Sequence, residues 1–386
     1  MREDWKLKKL GDICFIRRGS SPRPIKNYLI QEGGMPWVKI SDATEANGKF
    51  INSTAEQIKM EGVSKSVIVN PGDLILSNSG TAGLPMFMGI TACIHDGWQT
   101  FRDLNGIDKE YLYYFLLFIR NILLHNAYDS VMKNLTLDML RDYEIYLPPM
   151  DEQKRIVDVL HTIDNKIENN NKINRNLEDQ AKLLYKSWFI DFDQNDREMP
   201  ADWHNGTVEE VIELHDSIRK PLSGNERDKL DKIYPYYGAT SIVDYVDKYL
   251  FDGIYLLLGE DGSVIDSEGY PILQYVFGKF WANNHAHIIT GKAGFSVEEL
   301  YLLFSLTNVQ NIITGAVQLK ISQQNLKKVE AVIPSKESLK EFDVVIQPMF
   351  GQIRNLRLEN DRLTVLRDSL LPKLMSGELD VSDLDI

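Results

Sequence analysis

Only two cysteines, Cys14 and Cys93, occur among 386 residues, too few for a disulfide framework, so a reducing compartment is expected. The opening MREDWKLKKLGD has no apolar stretch of the kind a secretory signal needs, and a cytoplasmic location is the expectation. The longest apolar run, Tyr111 to Ile119, is about half of the ~20 residues that cross a bilayer, and it reads as a buried helix with no membrane segment elsewhere. Positive charge is also scarce. Lys plus Arg number 43 against 56 Asp plus Glu, a net charge of -13, which argues against a chain that coats DNA through bulk charge and leaves room only for local contact.

Catalytic signatures are missing too. There is no GxxxxGK[ST] phosphate loop and no GxGxxG after a strand, which argues against ATP hydrolysis by this chain. The Pro pair in LPPM (Leu147 to Met150) superficially resembles the [ND]PP[YF] loop of amino-methyltransferases. Leu147 supplies no acceptor for a target amine, however, and Met150 no flat stacking face, so the pair reads as a stop between strand and helix. In NNHAH, His285 and His287 fall on one face of a strand, but no further ligand sits at metal spacing and no metal is expected. Glu260 and Asp261 in GEDGS read as a turn that uses Asp and Gly for its backbone geometry.

What is present is a repeat of about half the chain. Trp5, Leu10 and Ile13 answer to Trp203, Val208 and Val211 at an offset of 198. PWVKIS (36 to 41) faces PYYGAT (235 to 240), and NPGDLILSNSG (70 to 80) resembles LFDGIYLLLGEDG (250 to 262). A helix follows in both halves, with Phe115 matching Phe304. Beyond it Leu140, Leu147 and Pro148 match Leu326, Ile333 and Pro334 at a constant offset of 186. Each half therefore joins a globular part of variable loop length to a constant rod.

The rods carry a heptad seam. Ile156, Leu160, Ile163, Ile167, Asn170, Asn174, Leu177, Ala181, Leu184 and Trp188 alternate spacings of four and three, the pattern of a supercoiled seam. Adding 186 gives Phe342, Ile346, Met349, Ile353, Leu356, Asn360, Leu363, Arg367, Leu370 and Leu374. Each rod is expected to run ~35 residues, or roughly 50 Å. Pro348 should kink the second helix or move its effective start towards Met349. Asn174 and Asn360 hold equivalent seam positions, where they either fix register between the rods or solvate a break in the seam.

The negative charge is unevenly spread. Residues 1–50 hold ten basic against six acidic side chains, including Arg17, Arg18, Arg23 and Lys26 in IRRGSSPRPIK. That loop reads either as a phosphate or base reader or as a solvated turn held by Gly19, Pro22 and Pro24. Arg219 and Lys220 in RKPLS are its counterparts in the second half. The surplus acid lies in the rods, the second globule and the tail GELDVSDLDI.

Taken together, GSSPRP with PWVKISDA, NPGDLILSNSGTAG, LPPMDEQKRIVDVLHTIDNKIENN and AKLLYKSWFIDF in the first half are similar to the specificity subunits of type I restriction-modification systems. YPYYGATSIVDYVDKYLFDGIYLLLGEDGSV, WANNHAHII and LRDSLLPKLMSGELDV carry the resemblance through the second half. It implies an α+β chain in which two β-rich target-recognition domains (1–150 and 193–334) alternate with two long helical regions (151–192 and 335–386). The helices would pair as an antiparallel coiled coil, giving an internal pseudo-two-fold repeat.

The resemblance further implies a non-catalytic DNA-reading subunit of a DNA adenine methyltransferase and restriction complex. Each domain would read one half of a split site in double-stranded DNA, and the rod would set the spacing. Two methyltransferase subunits would dock on the helices and bind S-adenosylmethionine, and two restriction subunits would use ATP and Mg, leaving no cofactor in this chain. Candidate DNA contacts are Arg18, Ser20, Ser21, Arg23, Lys39, Ser41, Ser79, Gly80, Thr81 and Lys133 in the first domain. In the second they are Arg219, Lys220, Tyr237, Thr240, Asp261, Ser263, His285 and Gln318, with Gln99 a weak counterpart of His285 in the first. The seam would be built from Ile163, Ile167, Asn174, Leu177, Leu184, Ile353, Asn360, Leu363 and Leu370. A scaffold with two protein- or glycan-binding globules is the alternative from a different class.

Overall fold

In a computed structural model, the described residues are 4–46, 48–128, 135–315 and 318–382, without the side chains of 126–128. They form two units: Met1–Asn169 with Asn360–Ile386, and Asn170–Glu359. The division falls inside both long helices, so each unit is a globule resting on half of each rod.

In the first unit, Lys6–Lys9 pairs antiparallel with Glu144–Leu147. One five-stranded sheet is ordered Phe15–Arg18, Trp98–Arg102, Leu74–Ser77, Pro85–Met88, Phe50–Ile51, and a second runs Leu29–Ile30, Glu56–Ile58, Met35–Val38, Ala92–Ile94, Val67–Val69. The apolar run forms the helix Lys109–Tyr128, and its Tyr111, Leu112, Tyr114 and Leu116 are fully buried. In the second unit, His204–Thr207 pairs with Glu330–Ile333. A six-stranded sheet is ordered Ile212–Leu214, Ala286–Gly291, Phe251–Gly259, Leu273–Ala282, Tyr234–Tyr237, Ile242–Val246. The repeat holds residue for residue at its anchors: Leu10 and Val208, and Leu140 and Leu326, are each fully buried.

The rods are the helices Met150–Phe189 and Lys336–Met375, 40 residues each, and ~60 Å long at 1.5 Å per residue. In the first unit Ile156 and Leu160 join a core with Leu370, Leu371 and Leu374. In the second, Tyr185, Trp188 and Phe189 surround Phe342, with ring centroids 5.8, 5.3 and 4.8 Å away. Early residues of one helix thus meet late residues of the other, which makes the pairing antiparallel.

The predicted seam is the covered face. Ile353 is fully buried, Ile163 and Asn174 nearly so, and Ile167, Leu177, Leu184, Asn360, Leu363 and Leu370 are half-buried. Ion pairs flank it, Arg367 to Asp164 at 3.1 Å in the first unit and Arg357 to Glu178 at 2.8 Å in the second. Of the two expected effects of Pro348, a shifted start does not occur: the second helix starts at Lys336 and runs through it. The hydrogen bond that Pro348 cannot make would reach the Val344 carbonyl, and Val344 lies on the most exposed part of that turn at 76% exposure, where water can satisfy the carbonyl.

Candidate functional site

Many of the sequence-predicted residues stand at strand ends or in the loops that follow them, and a hydrogen-bonded frame among those loops is repeated in the two units. The Asn78 amide donates to the Gly97 carbonyl at 2.8 Å, and the Glu260 amide to His285 at 2.8 Å. The Leu135 amide donates to the Asn78 carbonyl at 3.2 Å, and Ile321 to Glu260 at 2.9 Å. The Leu135 and Ile321 carbonyls then accept from buried side chains, Gln99 Nε2 at 3.0 Å and His287 Nε2 at 2.7 Å. Gln99 is therefore the counterpart of His287, and Gly97 stands where the second unit has His285. The expected match of Gln99 with His285 is corrected accordingly. Sequence spacing missed it because the first half has only Gly97 at that turn, with no side chain to align.

In the first unit the turn His95–Asp96–Gly97 is the hub. Arg18 Nε donates to the Asp96 carbonyl at 2.6 Å, and Asn78 Nδ2 donates to the same oxygen at 3.0 Å. Ser21 Oγ donates to Asp96 Oδ1 at 2.7 Å, and Arg23, 81% exposed, pairs with Oδ2 at 3.4 Å. The Ser21 hydroxyl, with His95 and Arg18 beside it, outweighs burial and holds the Asp96 carboxyl below its usual range. Gly19 is required here, since a Cβ would lie 2.1 Å from the His95 carbonyl oxygen, and one on Gly97 would lie 2.2 Å from the His95 ring.

Ser20 Oγ donates to the Lys65 carbonyl at 2.9 Å. Lys39, after Met35–Val38, pairs with Glu56, and Ser41 is exposed two residues on. The Ser79–Gly80–Thr81 turn packs beside them, with the Cβ position of Gly80 3.6 Å from Ile40. Lys133 lies outside the described residues. Burial pushes the His95 imidazole below its ordinary value.

The second unit is built differently beneath the same edge. Arg219 is only 10% exposed; it donates to Glu260 Oε2 at 2.7 Å, the Ala286 carbonyl at 2.5 Å and the Asp216 carbonyl at 3.1 Å, and pairs with Asp216 Oδ2 at 3.3 Å. His287 Nδ1 meets Asp216 Oδ2 at 2.6 Å. Burial alone would raise the Asp216 carboxyl, yet His287 and the Ile288 and Gln323 donors hold it below the usual range. Burial likewise opposes Glu260, and Arg219, His287 and Lys320 hold it low.

Asp216, Glu260 and His287 bring ligand atoms within 4.8 Å of one another, a proximity that chain spacing concealed. The arrangement does not fit a metal. Both His287 nitrogens already face oxygen atoms of the protein, Asp216 Oδ2 and the Ile321 carbonyl, and the carboxylates are already paired with Arg219.

Above this layer lie the exposed candidates. Asp261 Oδ1 sits 2.5 Å from His285 Nδ1, while Ser263 and Gln318 are exposed, and the Gly262 amide donates to Leu319 at 3.0 Å. Thr240 is exposed on the Gly238–Ser241 turn, which Gln274 Nε2 holds by donating to Gly238 and Ala239 at 3.1 and 3.2 Å. Lys220 is exposed, its carbonyl accepting from Trp281 Nε1 at 2.7 Å, and Tyr237 packs edge-on against Phe280 at 5.6 Å. The two imidazoles are not on one strand face as expected. The Asn283 side chain accepts the His285 amide at 2.8 Å, which turns the backbone before the strand starts at Ala286, so His285 is exposed and His287 buried. Asn78, His95, Asp96 and Asp216 are not among the residues expected from the sequence, and His287 is weighed there only as a metal ligand.

Among the described residues no helix is long and apolar enough to cross a membrane. The model of the type I restriction modification DNA specificity domain matches residues 2–179 and again 200–366. The MjaIX specificity subunit of Methanocaldococcus jannaschii is 28% identical, covering 99% of this chain and 95% of its own length. The HindI specificity subunit of Haemophilus influenzae is 22% identical over 97% of this chain and all of its own. Among solved structures, a type I restriction-modification S subunit from M. genitalium superposes with a TM-score of 0.53 at 15% identity, covering 96% of each chain, a likeness of fold.

Proposed function

The chain belongs to the specificity subunits of type I restriction-modification systems, and from that premise we propose that it reads a bipartite double-stranded DNA site without catalysing a reaction itself. Each unit reads one half-site with the loops at its strand ends, and the paired helices set the spacing. The observation that carries this reading is the repeated hydrogen-bond frame, which delivers a different set of exposed side chains to the same edge of both units. Two weak readouts joined by a fixed spacer become selective together, because the second contact is intramolecular once the first is made.

Two methyltransferase subunits dock on the helices and contribute S-adenosylmethionine, and two restriction subunits contribute ATP and Mg, all in the cytoplasm. A chain of net charge -13 gains little from phosphate attraction, so the partners supply much of it. Within the chain, Arg18, Arg23, Lys39 and Lys220 meet phosphates or base edges, whereas Arg219 positions the loops from below. Genomic methylation mapping with and without the chain tests the reading: a split motif that vanishes with the chain is expected. Methylation of an unchanged motif in its absence refutes it.

A further inference from the structure

His285 has its backbone and one ring nitrogen fixed by the protein. Its amide donates to Asn283 Oδ1 at 2.8 Å, its carbonyl accepts from the Glu260 amide at 2.8 Å, and Nδ1 lies 2.5 Å from Asp261 Oδ1. Its side chain is 46% exposed while that of Asp261 is 19% exposed, so the carboxylate lies beneath the ring and the opposite edge faces out. A carboxylate only accepts, so Nδ1 carries the proton; in the neutral ring Nε2 is then an acceptor. The first unit is wired the other way. His95, at the position of Asn283, accepts the Gly97 amide on Nδ1 at 2.8 Å, which leaves its proton on Nε2 as a donor.

We propose that Asp261 locks His285 as an outward-facing hydrogen-bond acceptor that selects an amino-bearing base, adenine or cytosine, at one position of the half-site read by the second unit. In the major groove the donors on base edges are adenine N6 and cytosine N4, and guanine and thymine present only acceptors there. In the first unit Gly97 takes the place of His285, and the ring at that turn is His95, at the position of Asn283; as a donor it would reject cytosine, whose polar major-groove group is a donor alone. The two units thus carry opposite polarity at the same turn. Asp261 is a positioning residue, acting only through the tautomer of His285.

This inference rests on the proposed reading of DNA by the two units, and the test separates the two. The chain is produced with its methyltransferase partners as wild type, His285→Ala, His285→Lys and Asp261→Ala, and methylated sites are mapped in a genome lacking other methylation. His285→Ala is expected to make one position of one half-site degenerate, with about tenfold loss of discrimination there, and to leave the other half-site unaltered. His285→Lys, a donor only, is expected to shift that position towards guanine or thymine. Asp261→Ala, which frees the tautomer, is expected to relax the same position to a smaller degree. Thermal melting of each variant within a few degrees of wild type shows that the exposed pair was not holding the fold.

An unchanged motif in His285→Ala overturns the assignment. An unchanged motif in Asp261→Ala, with relaxation in His285→Ala, overturns the tautomer lock alone. Wild type that methylates no split motif is instead a failure of the underlying reading.

Discussion

Replacing Arg219 with alanine separates a reader from a support. The guanidinium is one-tenth exposed and makes three hydrogen bonds as well as its ion pair with Asp216. Alanine takes from the Glu260 carboxylate, 15% exposed, its shortest ion pair, from the Asp216 carboxylate, 5% exposed, one of its partners beside His287, and from the Ala286 carbonyl its donor. Removing one partner of a buried pair costs ~3–5 kcal/mol, chiefly because the surviving charge stays desolvated. For a unit of this size that corresponds to a fall of roughly 10 °C in melting temperature. Arg219→Lys, which supplies charge but no fork, should fall between the two.

The pH dependence gives an independent check on the same substitution. Arg219 helps to hold Glu260 below its ordinary value in the folded chain, so that contribution is present above about pH 4.5 and disappears as pH falls through the lower folded value. The stability gap between wild type and Arg219→Ala, followed by circular dichroism during urea unfolding, should therefore be widest near neutral pH and narrow below about pH 4. A variant that melts like wild type at pH 7 while its methylation motif changes would refute this account and make Arg219 a base reader.

Three further outcomes follow from other parts of the molecule. Glu299 is fully buried beside Asp343 and Glu298, with Oε1 lacking a partner, and burial pushes its carboxyl up to about 8. Because the folded chain then holds a proton that the unfolded chain has released, stability should fall as pH rises from about 4.5 to 8, by up to ~1.4 kcal/mol per unit. Glu299→Gln should flatten that slope in urea titrations, and an unaltered slope would refute the burial argument. Asn174, 6% exposed with Oδ1 unpartnered, should give a chain ~1 kcal/mol more stable as Asn174→Leu. An unchanged melting temperature would show that water already satisfies the amide. Finally, one heptad added to each rod, within Asn165 to Asn176 and at the equivalent site of the second helix, should lengthen the tolerated spacer and leave both half-sites unchanged. Methylation mapping that shows altered half-sites with the old spacer would refute the ruler.

The rods were legible in the sequence because a helix paired over ten seam positions needs a periodic pattern, and Ile156 through Trp188 supplies it. The anchors Trp5, Leu10 and Leu140 with their repeats were legible for the same reason: burial constrains residue type. The site was only half legible. Arg18, Ser21, Arg23, Lys39 and His285 are candidates from charge and loop position, and the structure gives them partners in the loops: Asp96 for Arg18, Ser21 and Arg23, Glu56 for Lys39 and Asp261 for His285. Arg219 was found on the same grounds, but its charge is spent internally. Asp216, three residues before it, does not by itself distinguish an exposed arginine from one that folds inward, and the second partner, Glu260, is 41 residues away.

The mismatch between Gln99 and His285 has a physical cause that bears on how such a chain diversifies. The bonds joining Asn78, Gly97 and Leu135, and their counterparts Glu260, His285 and Ile321, run between backbone groups, so they survive any exchange of the side chains they carry. The one side-chain bond in the frame, from Gln99 or His287 to a carbonyl, demands only a donor of suitable length in a buried place, and an amide or an imidazole meets that demand. A fold framed in this way keeps its edge in place while the exposed residues change freely. That is the division of labour a subunit needs if its half-sites are to vary and its geometry is not.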